Sequence, residues 1–439
     1  MSERNYKQRQ LSRRSVSVSV VGLGYVGLPL AHAFDDAGYT VRGIDVDSSK
    51  IATLEAGIDP TGDVGDDAIA ASGIDFVTEP TPVASSDYVI VAVPTPVDDL
   101  ETPDLRLVER AGDSIGTGLR PGTTVVLEST VYPGATNEVF VPALERTSGL
   151  TAGEEFGVGY SPERTVPGDD RHGLRNVVKI VSGLTGETAA ELAVLYESIV
   201  DAGVHLAPSI EVAETAKCVE NTQRDINIAL MNELAVTCDH IGVDTQAVLE
   251  AAGTKWNFHE YRPGLVGGHC IPVDPFYLIF ESERNGFQPE LIEKARAVNE
   301  YVPKHVAELT IKALNEARNV LAESRVLVLG LTYKPDVNDV RTSAIGGVVE
   351  TLREYGIDVV GFDPCADDET IRAELELEVQ SELSLRGFDG YVVGTPHSAF
   401  SRLQLDELGG GNGSVPVVID VDGTFEDRVR GRDVIYRRL

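Results

Sequence analysis

The chain has 439 residues, 42% of them hydrophobic, which at roughly 150 residues per domain suggests two or three domains with sizeable cores. Asp and Glu total 70 against 37 Lys and Arg, a formal net charge of −33 that would repel nucleic-acid backbones and anionic lipid. No run approaches the ~20 apolar residues of a membrane span, and the basic tail 1–14 lacks the apolar stretch of a signal peptide, so a cytoplasmic protein without a membrane partner is expected.

Lysine occurs only at positions 7, 50, 179, 217, 255, 294, 304, 312 and 334. An acidic, lysine-poor surface suits a salt-rich cytoplasm, where screening removes self-repulsion, so the composition reads as salt adaptation. The four cysteines, Cys218, Cys238, Cys270 and Cys365, have no CxxC spacing, and neither a disulfide scaffold nor a metal site is expected.

In chain order, apolar runs rich in Val and Ile predict strands at Val16–Val21, Thr40–Asp45, Asp75–Val77, Tyr88–Val93, Thr124–Leu127, Phe156–Tyr160, Val177–Val181 and Val204–Leu206. Helical patterns such as Leu105–Ile115 and Glu187–Ile199 lie between them. That alternation predicts a doubly wound parallel sheet covered on both faces, over residues 15–208. From Glu211 to Ile241 a helical rhythm runs without Gly or Pro for about 45 Å, the length of an element that bridges domains or packs on a second subunit. A second helical stretch covers Glu290–Leu321, and together they define a central helical region, 209–322. Strands then return at Arg325–Leu329, Asp358–Phe362, Tyr391–Val393, Val417–Asp420 and Val434–Tyr436, giving a second, smaller α/β domain over 323–439, with Gly409–Gly413 as a surface loop. The fold class is therefore α/β: two Rossmann-like domains joined by a helical segment.

The first strand runs into Gly22-Leu-Gly24-Tyr25-Val26-Gly27 and a helical pattern. Gly22 permits the tight turn, Gly24 lets a pyrophosphate approach the backbone, and Gly27 lets helix and strand pack closely. The helix N-terminus offers free N–H groups to phosphate. The next strand ends at Asp45, the right distance on for the acid that accepts a ribose hydroxyl. Asp45 favours NAD over NADP, and nearby Lys50 tempers that preference. Polar clusters Pro94-Thr95-Pro96, Glu128-Ser129-Thr130 and Ser161-Pro162-Glu163-Arg164 follow other strand ends. Each alone reads as turn chemistry; three at equivalent places point to one crevice.

Tyr261-Arg-Pro-Gly-Leu-Val-Gly-Gly-His-Cys270-Ile-Pro-Val-Asp274 is a glycine-rich loop carrying a thiol. A thiol of pKa ~8.5 becomes a useful nucleophile where its surroundings stabilise the thiolate. On the long helix, Glu214, Lys217, Asn221 and Arg224 are spaced to share one face. Such a row is ordinarily solvated, but its companion faces are rich in Ala and Val, and a lysine in a crevice can act as base or polarise an oxygen.

With these stretches in order, from Val16 to the C-terminus, the chain resembles the UDP-sugar 6-dehydrogenases. The matching segments are Gly22–Gly27, Val93–Pro96, Glu128–Thr130, Tyr160–Arg164, Glu214–Asn221, Gly267–Asp274, Gly330-Leu-Thr-Tyr333-Lys334 and Asp339-Val-Arg341. The Gly-Gly-His-Cys-Ile-Pro-Val-Asp run and Thr254-Lys-Trp-Asn-Phe258 resemble the branch acting on UDP-N-acetylglucosamine and UDP-N-acetylmannosamine. The resemblance implies oxidation of C6 to a carboxylate with NAD, through a thiohemiacetal and thioester on Cys270. It implies that Lys217 and Asn221 hold the oxygen on C6, and that Asp274, Glu163 and Thr130 serve the hydrolytic water. By the same resemblance Arg164, Arg224, Arg262, Gly267, Tyr333 and Lys334 contact the UDP-sugar and Arg341 reaches the cofactor; the long helix itself suggests a homodimer. A UDP-glucose 6-dehydrogenase is the runner-up within the class; a 3-hydroxyacid dehydrogenase would share the first domain and the Lys217/Asn221 spacing but would not need Cys270. A sensor that kept the fold and lost turnover is the non-enzyme reading.

Overall fold

The computed structural model describes residues 16–98, 100–165, 170–409 and 413–439. The basic tail and most of the Gly409–Gly413 run lie outside the described residues. The chain divides into two compact units: residues up to Glu220 with Phe276–Phe287, and Asn221–Pro275 with Gln288–Leu439.

The first unit holds an eight-stranded sheet of β1 (Ser17–Val21), β2 (Thr40–Ile44), β3 (Asp75–Val77), β4 (Tyr88–Val91), β5 (Thr124–Leu127), β6 (Gly157–Tyr160), β7 (Lys179–Gly183) and β8 (Val204–Leu206). Its order is β3-β2-β1-β4-β5-β6-β7-β8, so the strand order reverses between β1 and β4, the point beyond whose carboxyl ends open α/β sheets bind ligands. Val18, Val20, Val41 and Ile90 meet Leu28, Ala31 and Phe34 of the helix Gly27–Asp36 in the core. All pairings are parallel except β6 with β7, which run antiparallel through Gly159↔Gly183 and Tyr160↔Ser182. That corrects the expectation of a wholly parallel sheet. A parallel pair needs a crossover, usually a helix, and the described part of the β6–β7 connection contains only the turn Asp170–His172.

The second unit holds a six-stranded parallel sheet, β11-β10-β9-β12-β13-β14. Its strands are β9 (Arg325–Leu329), β10 (Asp358–Phe362), β11 (Glu378–Val379), β12 (Gly390–Val393), β13 (Val417–Asp420) and β14 (Ile435–Arg438). Apolar clusters cover both faces, one around Val326, Val328 and Val348, the other around Leu327, Tyr391 and Phe425. The turn after β9 repeats the turn after β1. Gly330 has φ +82° where Gly22 has +91°. A Cβ on either would strike a backbone carbonyl, that of Thr395 at 2.1 Å or that of Ala92 at 2.5 Å.

The long helix spans Ile210–Ile241, and the second helical stretch spans Glu290–Glu316, not to Leu321 as the sequence suggests. The reason is local: Arg318 turns left-handed at φ +63°, and the Asn319 N–H donates back to the Leu314 carbonyl at 3.0 Å, closing the last turn. Helices Thr245–Gly253 and Asp274–Arg284 were not predicted. Among the described residues no helix is long and apolar enough to cross a membrane.

Candidate functional site

In the first unit the Gly22–Gly27 turn has the shape a dinucleotide requires. A Cβ on Gly27 would lie 1.8 Å from the Gly22 carbonyl, so helix and turn are in contact, while a Cβ on Gly24 meets nothing within 4 Å and its backbone is open to a phosphate. Tyr25 beside it is partly exposed, and Val26 immediately precedes the helix. Asp45 sits at the end of β2 with its carboxylate already in use. It accepts the Leu23 N–H at 2.9 Å and the Asp47 N–H at 3.0 Å, and pairs with Lys50 at 2.7 Å. These bonds aim the carboxylate at the turn and leave acceptor capacity for a ribose hydroxyl. Pro94 and Thr95 follow β4; the Thr95 hydroxyl donates to the Thr130 carbonyl at 2.6 Å, and the Thr95 carbonyl accepts the Tyr277 hydroxyl.

Glu163 and Arg164 follow β6. Glu163 accepts the N–H groups of Arg164 (2.8 Å) and Thr165 (2.5 Å), and Arg164 pairs with Glu220 at 2.6 Å and donates to the Val178 carbonyl. Behind Glu163 lies a group the sequence reading missed. Lys179, the first residue of β7, is buried and pairs with the fully buried Glu128 at 2.5 Å. Its ammonium also donates to the Pro162 carbonyl at 3.1 Å and lies 3.7 Å from Glu163. The Tyr196 hydroxyl donates to the other Glu128 oxygen at 2.5 Å. Burial pushes the Glu128 carboxyl up against the pull of Lys179. Burial also works on Glu163, but Lys179 and the two N–H donors outweigh it and hold Glu163 below the usual value. The signal was present: a lysine inside the apolar run Val177-Val-Lys-Ile-Val requires a buried partner.

Along the long helix the polar row runs from buried to exposed. Glu214 and Lys217 are buried, Asn221 is half-buried and Arg224 is exposed. The solvated-face reading therefore fails at the two buried members. Glu214 anchors the turn after β5, accepting from Gly134 N (2.6 Å), Thr136 N (2.9 Å) and the Thr136 hydroxyl (2.6 Å). Burial lifts its pKa to about 7.

In the second unit, Asn221 donates to Asp274 at 2.5 Å. Cys270 is exposed, and its carbonyl accepts the N–H groups of Val273 and Asp274 at the start of the helix Asp274–Arg284. The loop bearing it is fastened at two places. Asn232, fully buried on the long helix, accepts the Gly264 N–H (2.8 Å), donates to the Gly264 carbonyl (3.1 Å) and donates to Asn299 (2.8 Å). Asn299 in turn donates to Asp225 at 2.8 Å, which is ion-paired with the buried Arg296 at 2.6 Å. At the second place, Gly268 donates to the Thr342 carbonyl at 3.1 Å. A Cβ on Gly267 would lie 2.8 Å from that same carbonyl, and one on Gly268, at φ +94°, would lie 2.8 Å from the Tyr333 ring. His269 contacts Asp339 at 3.2 Å and meets the Tyr333 ring edge-on.

Tyr333 thus backs the cysteine loop. Lys334, beside it, is half-buried and its carbonyl accepts the Thr332 hydroxyl at 2.9 Å. Arg341, expected at the cofactor, is paired with Asp339 at 2.8 Å, and Arg262 is exposed near Asp422. A cluster the sequence did not suggest is Asp336, Cys365 and His397. Both ring nitrogens of His397 are engaged: Nε2 lies 2.9 Å from Asp363 and Nδ1 accepts the Asp336 N–H at 3.0 Å, so the ring is a structural junction.

The same succession of domains recurs in known proteins. Residues 16–200 match the NAD binding domain of the UDP-glucose/GDP-mannose dehydrogenase family, 211–301 its central domain and 327–427 its UDP binding domain. The chain is 44% identical over 396 residues to the UDP-N-acetyl-D-glucosamine 6-dehydrogenase of Pseudomonas aeruginosa, covering 90% of this chain and 94% of that protein. It is 43% identical over 392 residues to the protein CapL of Staphylococcus aureus, covering 89% and 92%. The solved structure of UDP-D-ManNAc dehydrogenase from Pyrococcus horikoshii superposes with a TM-score of 0.85 at 30% identity, covering 96% of this chain and 98% of that one. The chain belongs to the UDP-glucose/GDP-mannose dehydrogenase family and is an NAD-dependent nucleotide-sugar dehydrogenase.

Proposed function

We propose that this enzyme oxidises C6 of a UDP-N-acetylhexosamine, the gluco or manno epimer, to the uronic acid through a thioester on Cys270. The observation that carries the reading is the exposed Cys270 on a loop fastened by Asn232, Thr342 and Asp339, with the Asn221–Asp274 pair at its helical end. The names of the relatives from Pseudomonas aeruginosa and Pyrococcus horikoshii support the N-acetylhexosamine class. Bound between the Gly22–Gly27 turn and Asp45, NAD supplies the hydride acceptor for both oxidations.

In this reading Lys217 and Asn221 hold and polarise the oxygen on C6 as the alcohol becomes an aldehyde. The Cys270 sulfur adds to the aldehyde carbon, and the thiohemiacetal oxygen takes the proton. Loss of a second hydride from carbon and of the hydroxyl proton gives the thioester. Water, placed by Asp274, Glu163 and Thr130, then cleaves the C–S bond, releasing the carboxylate and regenerating the thiol. Covalent capture keeps the reactive aldehyde on the enzyme and divides a four-electron oxidation into easier steps. Arg164, Arg224, Arg262, Gly267, Tyr333 and Lys334 serve the UDP-sugar; the arginines suit a diphosphate in an otherwise acidic protein. A homodimer through the long helix belongs to the same reading, supported by the exposed Leu230, Leu234 and Ile241 along it.

The test is NADH yield per sugar with UDP-GlcNAc, UDP-ManNAc and UDP-glucose. About two NADH per sugar from an N-acetylhexosamine, with Cys270→Ser stalled after the first oxidation, is the expected result. Two from UDP-glucose alone would move the substrate. One NADH per sugar, or full turnover by Cys270→Ser, would overturn the thioester route.

A further inference from the structure

We propose that Lys179 is a positioning residue for the hydrolytic half of the reaction: its buried ammonium, clamped by Glu128 and the Pro162 carbonyl, braces the Glu163 carboxylate from behind. This rests on the reading that Glu163 serves the water that cleaves the thioester.

The geometry makes Lys179 unusual. It opens β7 with only 3% of its side chain exposed, and removing an ammonium from water is costly unless its charge is matched. Glu128, at the end of β5, matches it at 2.5 Å. Tyr196, from the helix Gly186–Glu197, holds the far oxygen of Glu128 and lays its ring beneath the ammonium, 5.5 Å from nitrogen to centroid. A second carboxylate, Glu163, then stands 3.7 Å from the same cation. A salt bridge built only to offset burial would need one acid; here two acids share one ammonium.

Glu163 is held from two sides. Its Oε1 is fixed by the N–H groups of Arg164 and Thr165, which set the direction of the side chain. Its Oε2 faces Lys179. The charged and titratable groups bearing on it are Lys179 of β7, Glu128 after β5, Tyr196 of the neighbouring helix and adjacent Arg164. Lys179 favours the ionised carboxylate, which can accept a proton from water; Glu128 opposes it. A neutral residue at 179 therefore both frees the Glu163 side chain and makes its proton harder to lose.

The experiment compares Lys179→Met, Lys179→Arg, Glu163→Gln and the double variant Glu128→Gln/Lys179→Met in single turnover. The double variant neutralises both members of the buried pair, so it keeps a balanced interior if Lys179→Met fails to fold. The readouts are the NADH burst, the mass of the intact chain carrying a sugar acyl group, and the pH dependence of acyl loss. Expected for the Met variants is a burst of about two NADH per chain, then acyl-enzyme decay slower by on the order of 100-fold, the cost of a misplaced catalytic group. In Lys179→Met the acidic limb of that decay should move up by about one pH unit, because a cation that favours the carboxylate is gone; in the double variant, which also loses the opposing Glu128 charge, it should move less. Lys179→Arg should restore most of the rate.

If Glu163→Gln accumulates acyl-enzyme while the Met variants hydrolyse it at the normal rate, the bracing role is wrong and the reading of Glu163 stands. If Glu163→Gln itself hydrolyses normally, both fall. A Met variant that slows every step equally, with no acyl-enzyme and no shift of the limb, makes Lys179 merely structural and overturns the proposal.

Discussion

Replacing Asn232 with alanine tests whether the cysteine loop is held by the long helix. The side chain is 1% exposed and makes three hydrogen bonds: two to the backbone of Gly264 and one to Asn299. Gly264 is half-buried, so water can replace part of what it loses, and each of its two bonds is worth about 1 kcal/mol net. Asn299 is buried, and its Oδ1 would lose the partner it has in Asn232, at about 1–3 kcal/mol. The total is about 3–5 kcal/mol, of which about 2 kcal/mol falls on the loop itself. Because the chain forms two compact units, a single global unfolding free energy is a poor measure of a local change. Hydrogen exchange resolved to residues 261–274 is the right assay. A loss of about 2 kcal/mol predicts roughly 30-fold faster exchange of the Gly264 amide in the variant, with the β9–β12 amides unchanged. Equal protection of Gly264 in both proteins would refute the fastening, as would loosening spread evenly over the second unit.

Glu214 should give the protein an unusual pH response. With its pKa lifted to about 7 by burial, the folded state holds a proton that the unfolded chain has already released. Its contribution to stability is therefore full below about pH 4.5 and is lost as pH rises through 7, a difference of about 3 kcal/mol. The first unit of Glu214→Gln should lack that decline between pH 5 and 8; parallel pH profiles would contradict the assignment. Asp45→Ser removes the acid that pairs with Lys50 and leaves a cation beside the ribose site, so the preference for NAD over NADP in kcat/KM should fall by about tenfold. An unchanged ratio would mean another group reads the ribose. The net charge of −33 predicts a Tm that rises as KCl goes from about 0.1 to about 1 M, where the screening length falls from about 10 to about 3 Å. A flat or falling Tm would remove the salt-adaptation reading.

Much of the fold is legible because buried parallel strands are written as short Val/Ile runs, and those runs at Asp75–Val77, Thr124–Leu127 and Arg325–Leu329 coincide with observed strands. Strand direction is not written the same way. A run of Val and Ile does not say which way it lies beside its neighbour, and the antiparallel β6–β7 pair was invisible for that reason. The helix end at Arg318 escaped because a left-handed cap is normally a glycine or asparagine, and the signal here was an arginine. At the site, residues in contiguous motifs were found and their supports were not. Lys179 and Glu128 are 51 positions apart, and Asn232 and Gly264 are 32 apart, so only folding brings each pair together.

The repeated turn carries a consequence for how the two halves came to differ. After β1 and after β9 the chain makes the same left-handed glycine turn, and in each the next leucine, Leu23 or Leu331, donates its N–H to the aspartate ending the neighbouring strand. In the first half that aspartate, Asp45, is met by Lys50, whose side chain is still partly open to solvent. In the second, Asp363 is enclosed by His397, Thr332, Cys365 and Ala366 and has no face left to offer. One backbone solution, used twice in a single polypeptide, is thus the proposed reader of ribose in one copy and a masonry joint in the other. Converting the second into a dinucleotide pocket would take the removal of one histidine before the addition of anything else.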